Sequence, residues 1–291
     1  LFQGVGNWGS MTTNPAAQRY TNLRLSIYSD LVFFDKFYYP TYLAVSNYDG
    51  SRTDVPLEFP ALLPNTLLND NMGIAVGVAC SSPAFTLKSV CTLLDYILTK
   101  SHPTGDPRKL VACTAQMCTD MLVFTSKYGG TSYSSRKDEF DFHKSGRGRI
   151  EYESGYKRKG LVLRFDRFAP SLNIEAALGS AAELAGVASV KDDSSKDDKY
   201  QKAWEVTLKK GLTPADDKKV VQAIEKIFSS AVNHNVMVTK RYRTKTGEAK
   251  ARLNQNACSP SLVDEWVDNR IDLEIKACKY WIRDAQRRID R

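Results

Sequence analysis

A tyrosine phenolate can attack a phosphodiester and carry the phosphate as a covalent phosphotyrosine. The pair Arg19-Tyr20 sets a guanidinium beside such a phenol. The free phenol, with a pKa of about 10, is a poor nucleophile near neutral pH and needs a neighbouring cation, a metal or a general base. Arg19 would pair with the non-bridging oxygens of a phosphate, where its planar donor fork fits. On its own, in a chain with 14 tyrosines, the pair favours a plainer reading: Tyr20 packed in a helix interface and Arg19 facing solvent.

Lys144, Arg147 and Arg149 form a second group, with Lys157, Arg158 and Lys159 shortly after. A glycine-flanked turn bearing cations (Gly146 and Gly148 here) approaches a phosphate backbone closely. Such contacts give strong salt dependence and little sequence preference. The plainer alternative is a solvated basic hairpin, and it weighs more on the second trio.

The elements that must position these groups follow from pattern. Residues 1–15 read as loop, punctuated by Gly4, Gly6, Gly9 and Pro15. Residues 16–29 have helical spacing, with Asn14 as N-cap and Pro15 at the first helical position. Residues 33–45 are aromatic and strand-like, before the turn Asn47-Tyr48-Asp49-Gly50. Residues 86–100 read as helix, broken at 102–106. Residues 121–175 read as strands and tight turns, 172–188 as an alanine-rich helix, and 191–199 as a charged loop. A strand at 203–208, a helix at 215–230 and an alternating strand at 236–243 follow. Ser259-Pro260-Ser261 caps a last helix, 262–291. Its apolar positions Leu262, Trp266, Ile271, Ile275, Cys278, Ile282, Ala285 and Ile289 suit a coiled coil or a packed amphipathic helix. The fold class is mixed α/β.

Composition bounds the partners. The 291 residues carry 41 Lys and Arg against 33 Asp and Glu, a formal charge of +8 that favours a polyanion, nucleic acid first among them. No apolar run reaches the roughly 18–20 residues of a membrane span. Six cysteines without a CxxC pair, and three histidines without metal-ligand spacing to a cysteine pair, point to reduced, mostly buried thiols and no structural zinc. The chain opens on Leu1-Phe2-Gln3-Gly4, without initiator methionine or signal peptide, and reads as a piece of a longer cytoplasmic protein.

Longer motifs in order decide between the readings. Gly4-Val5-Gly6-Asn7-Trp8-Gly9-Ser10, then Ala16-Ala17-Gln18-Arg19-Tyr20-Thr21 and Leu23-Arg24-Leu25-Ser26, resemble the active-site segment of type IIA DNA topoisomerases. In the gyrase A protein and its topoisomerase IV counterpart that segment reads like DGxGNFGS, then AAxRYTEARLS. The resemblance continues through Asn47-Tyr48-Asp49-Gly50-Ser51, Leu62-Leu63-Pro64-Asn65-Thr66-Leu67-Leu68-Asn69 and Gly73-Ile74-Ala75-Val76-Gly77-Val78-Ala79. It extends to Lys144-Ser145-Gly146-Arg147-Gly148-Arg149-Ile150 and to the start of the last helix, so it spans nearly the whole chain.

The resemblance implies that Tyr20 is the DNA-cleaving nucleophile with Arg19 supporting the scissile phosphate. Residues 1–55 would be the C-terminal part of a winged-helix domain, 56–259 a tower domain, and 260–291 the start of a coiled-coil arm. Two copies would form a gate in double-stranded DNA, with Lys144, Arg147 and Arg149 on the backbone. Mg²⁺ and ATP would be bound by a gyrase B-like Toprim/ATPase partner or by other regions, in the cytoplasm at the nucleoid. One departure stands out. Ser82 falls where the family's DNA-bending isoleucine stands, so Pro83 or Phe85 takes the wedge's part or the duplex is bent differently. With Gln18 and Asn22, this departure implies a divergent, phage-encoded member. The competing reading is a DNA-binding or architectural module that keeps the scaffold without cleaving.

Overall fold

The computed structural model describes residues 2–9, 14–41, 44–45, 55–56, 61–101, 110–193, 203–243, 249–254 and 257–290. In chain order it begins β1 (Phe2–Val5), β2 (Asn22–Leu25), α1 (Ile27–Phe33), β3 (Ala44–Val45), β4 (Val55–Pro56) and α2 (Asn65–Leu68). Then come β5 (Asn71–Ala75), β6 (Val78–Ser82), β7 (Ala84–Phe85), α3 (Leu87–Ser101), α4 (Ala115–Met121), β8 (Phe124–Thr125), β9 (Thr131–Ser132) and α5 (Arg136–Ser145). The rest is β10 (Arg147–Glu153), β11 (Tyr156–Lys159), β12 (Val162–Phe165), α6 (Ile174–Ala182), β13 (Val187–Asp192), β14 (Trp204–Leu208) and α7 (Pro214–Ile227), then β15 (Ser230–Asn235), β16 (Val238–Arg243), β17 (Ala249–Asn254) and α8 (Ser259–Ile289). The class is mixed α/β, as the sequence pattern implies. Two compact units result: residues 1–65 with 263–291, and residues 66–262.

In the first unit β1 and β2 form an antiparallel ribbon, with Arg24 Nε donating to Gln3 Oε1 (3.0 Å) between register partners. This ribbon corrects two expectations. Residues 2–5 are strand, not loop, and residues 16–29 are not one helix. Pairing with β1 draws 22–25 into an extended strand, and helix resumes only at α1, where the Ser26 side chain caps the Ser29 amide (3.1 Å). Of the aromatic stretch 33–45, Phe33 ends α1, strand is confined among its described residues to β3 at Ala44–Val45, and Lys36–Thr41 is 3-10 helix. Its Tyr38 anchors α8. The Arg270 guanidinium lies 4.3 Å from the ring centroid, and Tyr38 donates to Glu274 Oε1 (2.7 Å). Burial and that bond push the Tyr38 phenol up to about 12.

The packed stripe of α8 differs from the expected one. Val263, Val267 and Ala277 are buried. Arg270, Glu274 and Trp281 complete a 4-3-4-3-4 spacing, Trp281 donating to the Phe37 carbonyl (2.9 Å). Polar residues enter this seam where Tyr38 bonds to both Arg270 Nη2 and Glu274, while Arg270 Nη1 has no hydrogen-bond partner among the described residues. The expected stripe keeps Ile282 (68%) and Ile289 exposed.

In the second unit a seven-stranded sheet runs β5-β6-β15-β10-β9-β8-β7. Only Pro83 joins β6, second in that order, to β7, last in it, so the sheet must curl until its margins approach, as in a nearly closed barrel. Its core holds Phe85, Val90, Leu93, Ile97, Phe124, Phe142, Ile150 and Tyr152. A four-stranded sheet, β11-β12-β14-β13, packs Phe165 face to face with Phe228 (4.3 Å). Among the pieces that escape the pattern are α4, α5 inside the expected strand region, β13 after α6, β17, and β15 before the expected 236–243 strand, which begins at Val238. Of the cysteines only Cys113 and Cys118 are buried, so most are not; Cys91 and Cys278 are exposed. The expected turn at 47–50, the break at 102–106 and residues 194–199 of the charged loop lie outside the described residues.

Candidate functional site

Tyr20 closes a single 3-10 turn, Gln18–Tyr20, and leads directly into β2. The turn is held by the Tyr20 amide on the Ala17 carbonyl (2.9 Å) and the Thr21 amide on the Gln18 carbonyl (3.1 Å). Gly6 explains the glycine run before it. Its φ is +96°, and a Cβ there would overlap the Tyr20 carbonyl oxygen, so only glycine lets β1 turn away while its backbone abuts the tyrosine's. Asn7 continues the clamp by accepting from the Ala16 amide through its carbonyl (3.0 Å) and from the Gly9 amide through its side chain (2.9 Å).

The Tyr20 side chain is 65% exposed, and the Arg19 guanidinium carbon sits 5.1 Å from its ring centroid. A cation over an aromatic face is held by the ring quadrupole. That contact also places positive charge beside the phenol, where phenolate or phosphate charge would develop. The arrangement can present an oxygen nucleophile and a cation together on an open surface. It is a strand-entry turn, not the helix that the spacing implies.

Lys144, Arg147 and Arg149 belong to the second unit, on the turn from α5 to β10, and all three are exposed. Strand alternation puts Arg147 and Arg149 outward while Ile150 and Tyr152 enter the core. Arg149 reaches the Glu151 carboxylate at 3.7 Å, a loose surface pair. Gly146 makes the turn: it caps α5 with φ +70°, its amide donates to Phe142 O (2.7 Å), and its carbonyl accepts from the Val236 amide (2.8 Å). A Cβ there would collide with the Ala257 carbonyl. We expect Gly146→Ala to cost about 3 kcal/mol or more, from the left-handed backbone of about 1–2 kcal/mol plus a backbone overlap. Urea unfolding checks this; a loss under about 1 kcal/mol would show that the turn relaxes freely.

Two of the later basic trio are paired. Arg158 makes a two-pronged pair with Asp217 on α7 (2.8 and 2.9 Å), and Lys157 lies 3.2 Å from Asp166. Ser82 is half-buried at the end of β6, and Pro83 is buried. Phe85 is 3% exposed, against Phe124 and His143. Neither Pro83 nor Phe85 presents an apolar edge. The exposed apolar side chains are instead Met72, Ile74 and Val76, on β5 and at the turn of the β5–β6 hairpin. Beside Ser82 lies a cavity of about 260 Å³, where Ser81 Oγ and Tyr152 OH each lie 3.0 Å from a nitrogen of the buried His234. No sequence spacing links those three residues. Five more cations lie on the ribbon of β16 and β17; their sequence signal is a run of cations inside an alternating segment.

Among the described residues no three His, Cys, Asp or Glu side chains come together to hold a metal ion. No step of the chemistry is assigned to a metal that these residues hold. No helix among them is long and apolar enough to cross a membrane.

Comparison with known proteins matches residues 1–291 to the family described as the A subunit of DNA gyrase/topoisomerase IV. The DNA gyrase A subunit of Brachyspira hyodysenteriae is 26% identical over 98% of this chain and 33% of its own length. That of Chlamydia trachomatis is 24% identical over 99% of this chain, again 33% of its own length. The DNA topoisomerase 4 A subunit of Pseudomonas aeruginosa is 32% identical over 54% of this chain and 20% of its own length. The chain spans about a third of the gyrase proteins that it matches end to end.

Proposed function

The chain belongs to the DNA gyrase/topoisomerase IV A-subunit family and corresponds to its breakage-reunion core; on that premise we propose that it cleaves and reseals duplex DNA through Tyr20. The observation that carries this reading is the exposed Tyr20 phenol beside the Arg19 guanidinium, on a turn that Gly6 braces. Tyr20 Oη attacks a backbone phosphorus and a deoxyribose oxygen leaves as its hydroxyl. The phenol's proton passes to solvent or to a base. One phosphodiester is exchanged for another, so the bond energy is kept and the same hydroxyl reverses the step. Arg19 forks onto the non-bridging oxygens, and Lys144, Arg147 and Arg149 hold the backbone at other phosphates.

The rest of the machine lies with other polypeptide. The family uses Mg²⁺ and ATP; we assign both to a Toprim/ATPase partner of the gyrase B kind or to regions outside these residues, and the gate to two copies of this core. Residues 1–55, 56–259 and 260–291 take the parts of winged-helix end, tower and coiled-coil start. The exposed stripe of Ile282 and Ile289 on α8 suits a second coiled-coil helix. The apolar wedge falls to the β5–β6 hairpin, since Pro83 and Phe85 are buried. A phage origin rests on Gln18, Asn22 and Ser82 alone.

The test is denaturing-gel trapping of a covalent protein–DNA adduct, with the Toprim/ATPase partner, Mg²⁺ and supercoiled duplex. An adduct mapping to Tyr20 supports the reading; DNA binding without any adduct favours the non-cleaving module. Arg19→Gln should slow adduct formation about 10- to 100-fold, the worth of one charged hydrogen bond of roughly 1.5–3 kcal/mol. A change below twofold would remove Arg19 from the step.

A further inference from the structure

The ribbon of β16 and β17 is a two-stranded sheet with no further partner strand among the described residues. Its register sets Lys240 opposite Arg252, Tyr242 opposite Lys250, Arg241 opposite Ala251 and Arg243 opposite Ala249. Its two six-residue strands thus hold five cations and no carboxylate. An isolated two-stranded ribbon is marginal in water, and like charges directly opposite destabilise it further. Lys240 and Arg252 occupy such an opposed pair. An arrangement that works against its own folding is explained by a ligand that carries the opposite charge.

The ribbon's base is fixed where the exposed cations of the preceding turn already lie. The Val236 amide, two residues before β16, donates to the Gly146 carbonyl, and Ala257, three residues after β17, packs its carbonyl on the Gly146 Cα. Both Val236 and Ala257 are buried. Gly146 is the turn that presents Lys144, Arg147 and Arg149, so the ribbon rises from the foot of that cluster. Its strands extend about 20 Å from there.

We propose that the β16–β17 ribbon is a second phosphate-backbone contact for duplex DNA, continuous with the Lys144–Arg149 turn. This rests on the reading of the chain as a DNA-acting core. It assigns affinity to the ribbon, not cleavage. An acidic protein surface would also answer to the charge. The shared Gly146 anchor favours duplex, because one charged rod can meet both groups of cations at once.

Binding of a 30-base-pair duplex by the protein carrying Tyr20→Phe, which separates affinity from cleavage, tests the proposal. Fluorescence anisotropy across a salt series gives the slope of log K on log salt. Lys240→Gln/Arg252→Gln should lower that slope by about 1–2 and weaken binding several-fold, at about 0.9 for each phosphate no longer neutralised. Arg241→Gln/Arg243→Gln, at positions that alternate to the ribbon's other face, should lower it less. Lys157→Gln, at a side chain paired with Asp166, should leave it unchanged. The charge-preserving Lys240→Arg/Arg252→Lys should bind as the parent does. Unchanged slopes in both neutral pairs overturn the proposal, as does a charge-preserving variant that binds as poorly as the neutral one. Neither result touches the Tyr20 assignment, which the adduct assay reads separately.

Discussion

Tyr20→Phe should abolish covalent protein–DNA adduct and all strand passage while leaving duplex affinity within about twofold. The substitution removes one oxygen and little else. Tyr20 is 65% exposed, so no buried hydrogen bond or packed volume is lost. The phenyl ring still offers its face to the Arg19 guanidinium, now 5.1 Å from the ring centroid. The turn is held by backbone bonds from the amides of Tyr20 and Thr21, which phenylalanine keeps. What disappears is the only atom of residue 20 that can bond to phosphorus. Removal of a covalent nucleophile leaves positioning without chemistry, and the effect on rate is orders of magnitude, not a few-fold. The paired measurement matters. Loss of adduct together with loss of affinity would mean that the turn had been disturbed. Retention of adduct at wild-type yield would remove Tyr20 from the reaction, and another of the chain's tyrosines would then have to be the nucleophile.

The site is legible in the sequence to different depths. Tyr20 stands out because ordered motifs flank it, and the resemblance covers nearly the whole chain. Its local setting does not, because 16–29 carries apolar residues at helical intervals. The competing influence is nonlocal: β1 pairs with β2, and a pairing partner twenty residues away leaves no mark on the periodicity. The Gly4-to-Gly9 run reads as loop by composition, yet part of it is strand, and Gly6 is fixed by contact with the Tyr20 carbonyl. On α8 the helix is plain but its buried stripe is not. Periodicity picks out apolar residues, whereas Arg270 and Glu274 enter the seam through Tyr38, more than two hundred residues earlier. The wedge shows the same limit. Motif order places Ser82, but only packing shows Pro83 and Phe85 turned into the core.

Acidification from pH 6.5 to 4 should destabilise the second unit strongly, through two histidines that no spacing singles out. His143 is wholly buried, its Nδ1 2.8 Å from Ser259 Oγ and its Nε2 without a hydrogen-bond partner among the described residues. His234 is buried between Ser81 and Tyr152. Burial lowers each to about 4 from an ordinary 6.5, the Ser81 contact opposing it slightly at His234. The folded state then holds both rings neutral down to about pH 4, while the unfolded chain protonates them below 6.5. More protons bind the unfolded state throughout that window, so stability falls as pH falls and levels off below about 4. Each ring contributes on the order of 3 kcal/mol, and two together approach the whole stability of many domains. Asp217, held low by Arg158, loses its contribution only below its ordinary 3.8 and stays outside this window. Glu139, raised by burial, acts in the opposite sense near the carboxylate range. Urea midpoints at pH 7.5, 6.5, 5.5 and 4.5 should therefore be level at first and then drop steeply. His234→Gln, which keeps a donor and an acceptor between Ser81 and Tyr152, should start lower but lose about half of that drop. An unchanged drop would assign acid sensitivity to other groups. The location gives the effect a functional edge. His143 immediately precedes Lys144, and His234 lies opposite Gly148 in the β10–β15 register. Because the folded rings stay neutral across this window, DNA affinity should fall together with the fold and not before it.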